Sequence, residues 1–235
     1  MRLAVIAGPP SAGKTAVVRQ AIRTLQDRYR IAYLKIDVVR AFEDEELAAE
    51  FGIPARKIYS GDLCPDHAGV MVMRDAIDWA GEEGADLLLV ESAGLCLRCS
   101  PYTTQGLGIV VLSAISGTNT PLKMAAMLAL ADIAVVTRID LVSQAEKEVF
   151  REKIRETNPA LEIVETNALQ GTGMRYLLRA IEDFPAITDP DAIMLRGAPP
   201  LGVCTICIGK TDIGWQHHFG VIRRLEDADY LYRGD

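Results

Sequence analysis

Residues 2–25 read RLAVIAGPPSAGKTAVVRQAIRTL, and no other stretch narrows the fold as much. An apolar run, 2–7, stops at Gly8. The eight residues from Gly8 to Thr15 then fit the spacing G-x-x-x-x-G-K-[ST]. Beyond them Val17, Val18, Ala21, Ile22 and Leu25 recur at three to four residues, the period of a helix with one buried face. Strand, glycine-rich turn and helix N-terminus in that order make an anion cradle. Gly8, Pro9, Pro10, Ser11, Ala12 and Gly13 form the turn, and Lys14, Thr15 and Ala16 open the helix. Backbone N–H groups there point at phosphate oxygens, Lys14 brings a point charge to the β- and γ-phosphates, and Thr15 reaches Mg²⁺.

The rest of the chain alternates the same two signals. Strands are expected at 30–37, 56–60, 85–91, 108–115, 131–140 and 161–167, those at 85–91, 108–115 and 131–140 continuously apolar. Helical spacing separates them, including LKMAAMLAL and the amphipathic SQAEKEVFREKIRETN. In the latter, Ser143 and Glu146 have the spacing of a capping box. Continuous apolar strands alternating with helices predict an α/β fold, a three-layer phosphate-loop domain with a mostly parallel sheet, over 1–184. After Pro185 proline and turn residues dominate. Residues 185–235 read as a linker and a cysteine-containing tail, too short to bury a core alone and so expected to pack on the main domain.

Several strand ends carry polar residues suited to the same nucleotide. Asp37 ends the second strand and Glu91 ends LLLV, where either carboxylate can serve the Mg²⁺ shell and the hydrolytic chemistry of Lys14 and Thr15. Gly94, three residues on, offers a backbone N–H to the γ-phosphate. Asp140, read as the end of the strand VVTRID, can accept from the N1–H and 2-amino group of guanine, which adenine lacks. Backbone groups near Ala168 and Leu169 close the far side of that base pocket. GTP is therefore expected over ATP, with ATP as the alternative.

These pieces together resemble the CobW/HypB/UreG group of metallochaperone-type GTPases, and the HypB and UreG branches most. The resemblance covers about 1–184 and is carried by GPPSAGKT, KIDVVRAFEDEEL, YSGDLCPDHAGVMV, LLLVESAG, VVLSAISGTNTPLKMAAMLALADIAVVTRIDL and TNALQGTGM. It implies a seven-stranded, mainly parallel sheet, nucleotide-dependent homodimerisation, and GTP hydrolysis coupled to metal transfer toward a client metalloenzyme or accessory protein. The chain departs from the family's base-reading Asn-Lys-x-Asp. It has Thr137, Arg138, Ile139 and Asp140, so the aspartate is kept and the stem of Arg138 takes the lysine's stacking role.

Five cysteines, four of them in CxxC pairs, point to metal chemistry in a reducing compartment. Cys64 and His67 form a C-x-x-H pair on the loop before the third helix, where HypB and UreG place a Cys-His site. The inserted Asp66 distinguishes it from the Cys-Pro-His of UreG. Two such ligands suit Zn²⁺ or Ni²⁺ and call for a second chain to complete four. Cys96 and Cys99 follow Gly94, and Cys204 and Cys207 lie in the tail. Three arrangements remain open: a zinc or iron–sulfur centre bridging two copies through Cys96 and Cys99, a four-thiolate site within one chain, or redox-active thiols. His217 and His218 read as a surface pair on an aromatic-rich strand.

The reading that follows is a GTP-hydrolysing metal or iron–sulfur carrier or insertase. The alternatives are a nucleotide-dependent regulatory switch with a structural zinc and an ATP-dependent cluster-containing reductase or activator. A net charge of -7 disfavours nucleic acid and anionic membrane partners, and no apolar run reaches membrane-spanning length, so a cytoplasmic setting is expected.

Overall fold

The computed structural model describes residues 1–38, 41–60, 64–94, 100–197 and 211–217. Strands β1 (Arg2–Ala7), β2 (Ile31–Asp37), β3 (Ala55–Tyr59), β4 (Leu87–Ser92), β5 (Leu107–Ser113), β6 (Ile133–Thr137) and β7 (Glu162–Thr166) form one sheet. Their order is β3-β2-β4-β1-β5-β6-β7, and every pairing is parallel. Parallel strands need crossovers, and the helices that supply them cover both faces. That is why the central strands lack polar alternation.

The period of two sorts each strand between the layers. Leu3, Val5 and Ala7 of β1 face a core shared with α3 (Pro65–Glu82), α5 (Ala125–Leu130) and α6 (Gln144–Thr157). Ala4 and Ile6 face the opposite core, built with α1 (Lys14–Leu25), α2 (Glu43–Phe51) and α7 (Met174–Asp183). The short α4 (Thr120–Lys123) precedes α5. LKMAAMLAL, expected as one helix, is thus two pieces. They part at Met124, whose N–H is shared between the carbonyls of Thr120 and Pro121. The Ser143 and Glu146 capping box is present at the start of α6.

The chain beyond α7 runs back over the first layer. Ile187 N–H donates to Met1 O, Leu195 bridges Thr103, and Gly214 N–H donates to Val70 O on α3. Ile193, Leu195 and Ile213 are buried in that layer's core. Arg196 fastens the segment with two bonds to the Asp132 carboxylate, at 2.8 and 2.6 Å, and others to the carbonyls of Thr103, Gly106 and Leu130. Trp215–His217 is a 3-10 turn and not the strand expected there, and His217 is exposed. His218 lies outside the described residues. Among the described residues no helix is long and apolar enough to cross a membrane.

The first crossover skips a strand position that β4 later fills. The chain leaves β1 for β2, returns to β4 between them, and crosses β1 to reach β5. Successive connections so diverge on either side of β1, and the C-terminal ends of β4, β1 and β5 frame a crevice.

Candidate nucleotide site

The loop from β1 to α1 lies in that crevice, and its shape depends on glycine at two close approaches. Gly8 has φ +146°, and a Cβ there would lie 2.1 Å from Val111 O on β5. Gly94, two residues beyond β4, has φ +63°, and its Cβ would lie 2.1 Å from Gly8 O. The phosphate loop and the segment after β4 therefore touch backbone to backbone, a distance only glycine allows.

Lys14 opens α1 and folds back beneath the loop. Its ammonium donates to Gly8 O at 2.8 Å, Pro9 O at 3.1 Å and Ala93 O at 3.3 Å. Burial lowers its pKa to about 8 even though the Glu91 carboxylate pulls the other way; the nearby Lys35 charge adds to the depression. Three neutral carbonyls hold this cation, an arrangement that an anion would improve.

Glu91 sits at the neighbouring strand end, 1% exposed. Thr15 Oγ1 donates to its Oε1 at 2.9 Å, Lys35 Nζ to the same oxygen at 2.7 Å, and Tyr33 OH to Oε2 at 2.8 Å. Tyr33, Lys35 and Asp37 alternate along one face of β2, directed to the α1 layer. Lys35 also lies 3.5 Å from Asp37 and 3.5 Å from Glu43. Burial opposes its charge, but Glu91, Glu43 and Asp37 outweigh that and hold its pKa above the ordinary lysine value. Burial, with Glu91 beside it, pushes the Tyr33 phenol well above its usual range.

The sequence reading found Glu91 and Asp37 but missed Lys35, Tyr33 and Glu43. A lysine two residues before a strand-end aspartate was the available signal. It acquires meaning only once β2 and β4 are known to be neighbours, with Lys35 in register with Glu91.

Two cavities follow the crevice. The inner one, about 560 Å³, is lined by Lys14, Thr15, Lys35, Asp37, Glu43 and Glu91 among others. The outer one, about 170 Å³, is bounded by Thr137, Arg138, Asp140, Leu141, Ala168 and Leu169. Gly13, Ala16 and Arg138 border both. Pro10 and Ser11 line the inner cavity, whereas Ala12 is buried behind it.

Asp140 does not end a strand. β6 stops at Thr137, Arg138 turns the chain with φ +57°, and Asp140 lies in the 3-10 turn Ile139–Leu141. This turn brings Asp140 to the outer cavity. Thr137 Oγ1 donates to Ala12 O at 2.6 Å, so its hydroxyl faces the loop backbone. Arg138 donates to Ser11 O at 2.6 Å and Ser113 Oγ at 2.9 Å, bracing the same loop from outside.

The Cys64–His67 pair is not confined to a loop. Cys64 occupies the N-cap of α3, Pro65 takes the first helical position it favours, and His67 is buried in the first turn. Asp66, next to it, accepts from Ser92 Oγ at 2.9 Å, and Gly94 N–H donates to that hydroxyl at 3.4 Å. No group of three or more His, Cys, Asp or Glu side chains gathers as a metal site among the described residues. Cys96, Cys99, Cys204 and Cys207 lie outside those residues.

A parallel sheet, a glycine loop at its crevice and a buried lysine clamped beneath define a phosphate-loop nucleotide-binding domain. The CobW/HypB/UreG nucleotide-binding domain matches residues 2–165, and the chain belongs to that family. An uncharacterized protein of Methanocaldococcus jannaschii is 43% identical over the full length of both chains. Hydrogenase maturation factor HypB of Escherichia coli K12 is 27% identical over 74% of this chain and 60% of its own length, so the match spans three-fifths of that relative. Among solved structures, HypB from Archaeoglobus fulgidus superposes with TM-score 0.62 at 24% identity, covering 77% of this chain and 89% of that one. HypB from Helicobacter pylori in complex with nickel gives TM-score 0.62 at 19% identity over 80% and 91% of the two chains. These two share the fold. Some members of the family are metallocentre maturation factors, and hydrolysis of a nucleoside triphosphate is implied at the level of the family.

Proposed function

We propose that this protein binds and hydrolyses GTP and uses the nucleotide state to load or release a metal ion or cluster during maturation of a metalloenzyme. The observation that carries the reading is the pair of cavities meeting at Gly13, Ala16 and Arg138. The inner one offers Lys14 and Thr15 to phosphates, and the outer one offers Asp140 and the backbone near Ala168 and Leu169 to a purine. The donor set suits Mg²⁺: Thr15 Oγ1 and a Glu91 oxygen already meet at 2.9 Å, with Asp37 at the adjoining strand end. Bound there, Mg²⁺ would neutralise charge that builds between the β- and γ-phosphates.

The chain's own residues supply the switch. Without phosphates Lys14 is held partly by Ala93 O. Phosphate oxygens draw the ammonium away and free Ala93. Gly94 and Ser92 flank that residue, and Ser92 is bonded to Asp66 in the first turn of α3. Movement at Ala93 thus reaches Cys64 and His67 through a buried hydrogen bond as well as reaching Cys96 and Cys99 along the chain. The metal itself is cargo, held by the CxxC pairs or, where the first turn of α3 opens to expose the buried His67, by Cys64 and His67 with a second copy. Resemblance to HypB supports nickel or zinc, and a client metalloenzyme or accessory protein is the receiver.

The test is anaerobic purification followed by metal analysis and visible spectra of the nucleotide-free, GDP-bound and GTP-analogue-bound protein. Bound metal that differs between the states, and falls in Cys64→Ala, supports the reading. A colourless, metal-free protein in all three states overturns the metal half. A metal content indifferent to nucleotide favours a structural ion and overturns the carrier role.

A further inference from the structure

Lys35 has no part in the reading so far, yet its ammonium lies within the inner cavity's wall. It is 3% exposed and faces three carboxylates: Glu91 at 2.7 Å, Asp37 at 3.5 Å and Glu43 at 3.5 Å. The Glu91 oxygen it holds is the one that accepts from Thr15 Oγ1. A divalent ion placed between Thr15 and Glu91 would compete with the ammonium for that oxygen. The six ionised groups lining the inner cavity, Lys14, Lys35, Arg138, Asp37, Glu43 and Glu91, sum to zero charge with Lys35 and would carry -1 without it.

We infer that Lys35 is a positioning residue that acts as a resident cation, standing in for the metal charge at Glu91 and letting nucleotide bind before or without Mg²⁺. The inference rests on the reading that this cavity takes a Mg²⁺–nucleotide. The physical argument has two sides. A nucleotide's phosphates approaching Glu91, Asp37 and Glu43 unaided meet like charge, and a fixed ammonium a few ångströms away relieves that repulsion. A divalent ion arriving alone meets the ammonium and is repelled. The lysine therefore weakens the dependence of nucleotide binding on metal.

The chain supports the device structurally. Tyr33 OH holds the other oxygen of Glu91, so the carboxylate keeps its orientation if the lysine releases it. Asp37 and Glu43 lie close enough to receive the ammonium when a metal takes Glu91. Lys35 can then shift among acceptors without leaving a buried charge unpaired.

The experiment measures the dissociation constant of a fluorescent GDP analogue in excess Mg²⁺ and in EDTA, for the wild type, Lys35→Met and Lys35→Arg. Thermal melts establish that each variant is folded. The expected result is a ratio between the two conditions that rises about tenfold or more in Lys35→Met and stays near the wild-type ratio in Lys35→Arg. If Lys35→Met destabilises the fold, the Lys35→Met/Glu91→Gln pair removes both charges and should restore folding. Its ratio is then set against that of Glu91→Gln alone, which keeps Lys35: a higher ratio in the pair supports the inference, and equal ratios overturn it. Wild-type binding with an unchanged ratio in Lys35→Met overturns the inference and leaves the nucleotide site standing. Failure of the wild type to bind any nucleotide overturns both.

Discussion

Gly94→Ala is a sharp test of the contact that joins the phosphate loop to the segment after β4. Two costs arise at this position. The first is backbone: φ is +63°, and an L-residue there costs about 1 kcal/mol. The second is spatial. The new methyl would meet Gly8 O at 2.1 Å and Gly8 N at 2.6 Å, both backbone atoms without a rotamer to change. Relief requires the two segments to part by roughly 1 Å, about the order of misfit that costs 1–3 kcal/mol in a packed interior. Lys14 spans that gap, bonded to Gly8 O on one side and Ala93 O on the other. Parting the segments breaks the clamp that positions its ammonium.

Gly52 supplies the control. It caps α2 with φ +67°, and a Cβ there meets nothing within 4 Å. Gly52→Ala carries the backbone cost alone. At about 2–4 °C per kcal/mol for a chain of this size, Gly52→Ala should lower the melting temperature by roughly 2–4 °C and leave nucleotide affinity intact. Gly94→Ala should lower it by about 4–16 °C and weaken nucleotide binding at least about tenfold. Differential scanning fluorimetry and titration with a fluorescent nucleotide read both effects. Equal melting losses in the two variants, with undiminished binding in Gly94→Ala, would refute the argument that this contact shapes the cradle.

Lys14 should report itself as a proton taken up on binding. Its pKa of about 8 in the free protein lies below the unfolded value of 10.5, and phosphate oxygens raise it again. Calorimetry in buffers of different ionisation enthalpy should show uptake approaching one proton as pH rises above 8, with affinity falling about tenfold per pH unit between 8 and 10. Uptake of none at pH 9 contradicts it. The same group penalises folding below pH 8, because burial of the ammonium is costly there. Between pH 8 and 10.5 the unfolded chain holds the extra proton, so this contribution makes stability rise with pH. Ser143→Ala removes the hydroxyl that accepts from Glu146 N–H at 3.3 Å and should cost about 1 kcal/mol, or roughly 2–4 °C, without touching nucleotide binding.

What the sequence revealed and what it concealed divide along physical lines. The central strands β1, β4, β5 and β6 announced themselves because parallel strands buried on both faces are apolar almost throughout. The cradle was legible because its spacing is local. Strand order was not, because no local pattern says that β4 inserts between β1 and β2. With the order hidden, Lys35 had no visible partner: Glu91 lies 56 residues away. The bond from Ser92 to Asp66 was hidden for the same reason. The misread end of β6 has a different cause. VVTRID looks like one strand, but Arg138 turns left-handed against the usual preference of a residue with a side chain. Two bonds from its guanidinium, to Ser11 O and Ser113 Oγ, anchor that side chain at the turn, and both partners are remote in sequence.

The central claim is that the crevice holds a guanine nucleotide, read by Asp140 at the outer cavity. Its most direct measurement is the affinity of the purified protein for GDP and ADP in Mg²⁺, beside the same pair for Asp140→Ala. Loss of a charge-assisted contact to two donors is worth about 1.5–3 kcal/mol. GDP should therefore bind at least about tenfold more tightly than ADP to the wild type, and Asp140→Ala should erase the difference by weakening GDP alone. Equal affinities for the two nucleotides in the wild type, or a preference that survives Asp140→Ala, would contradict the account.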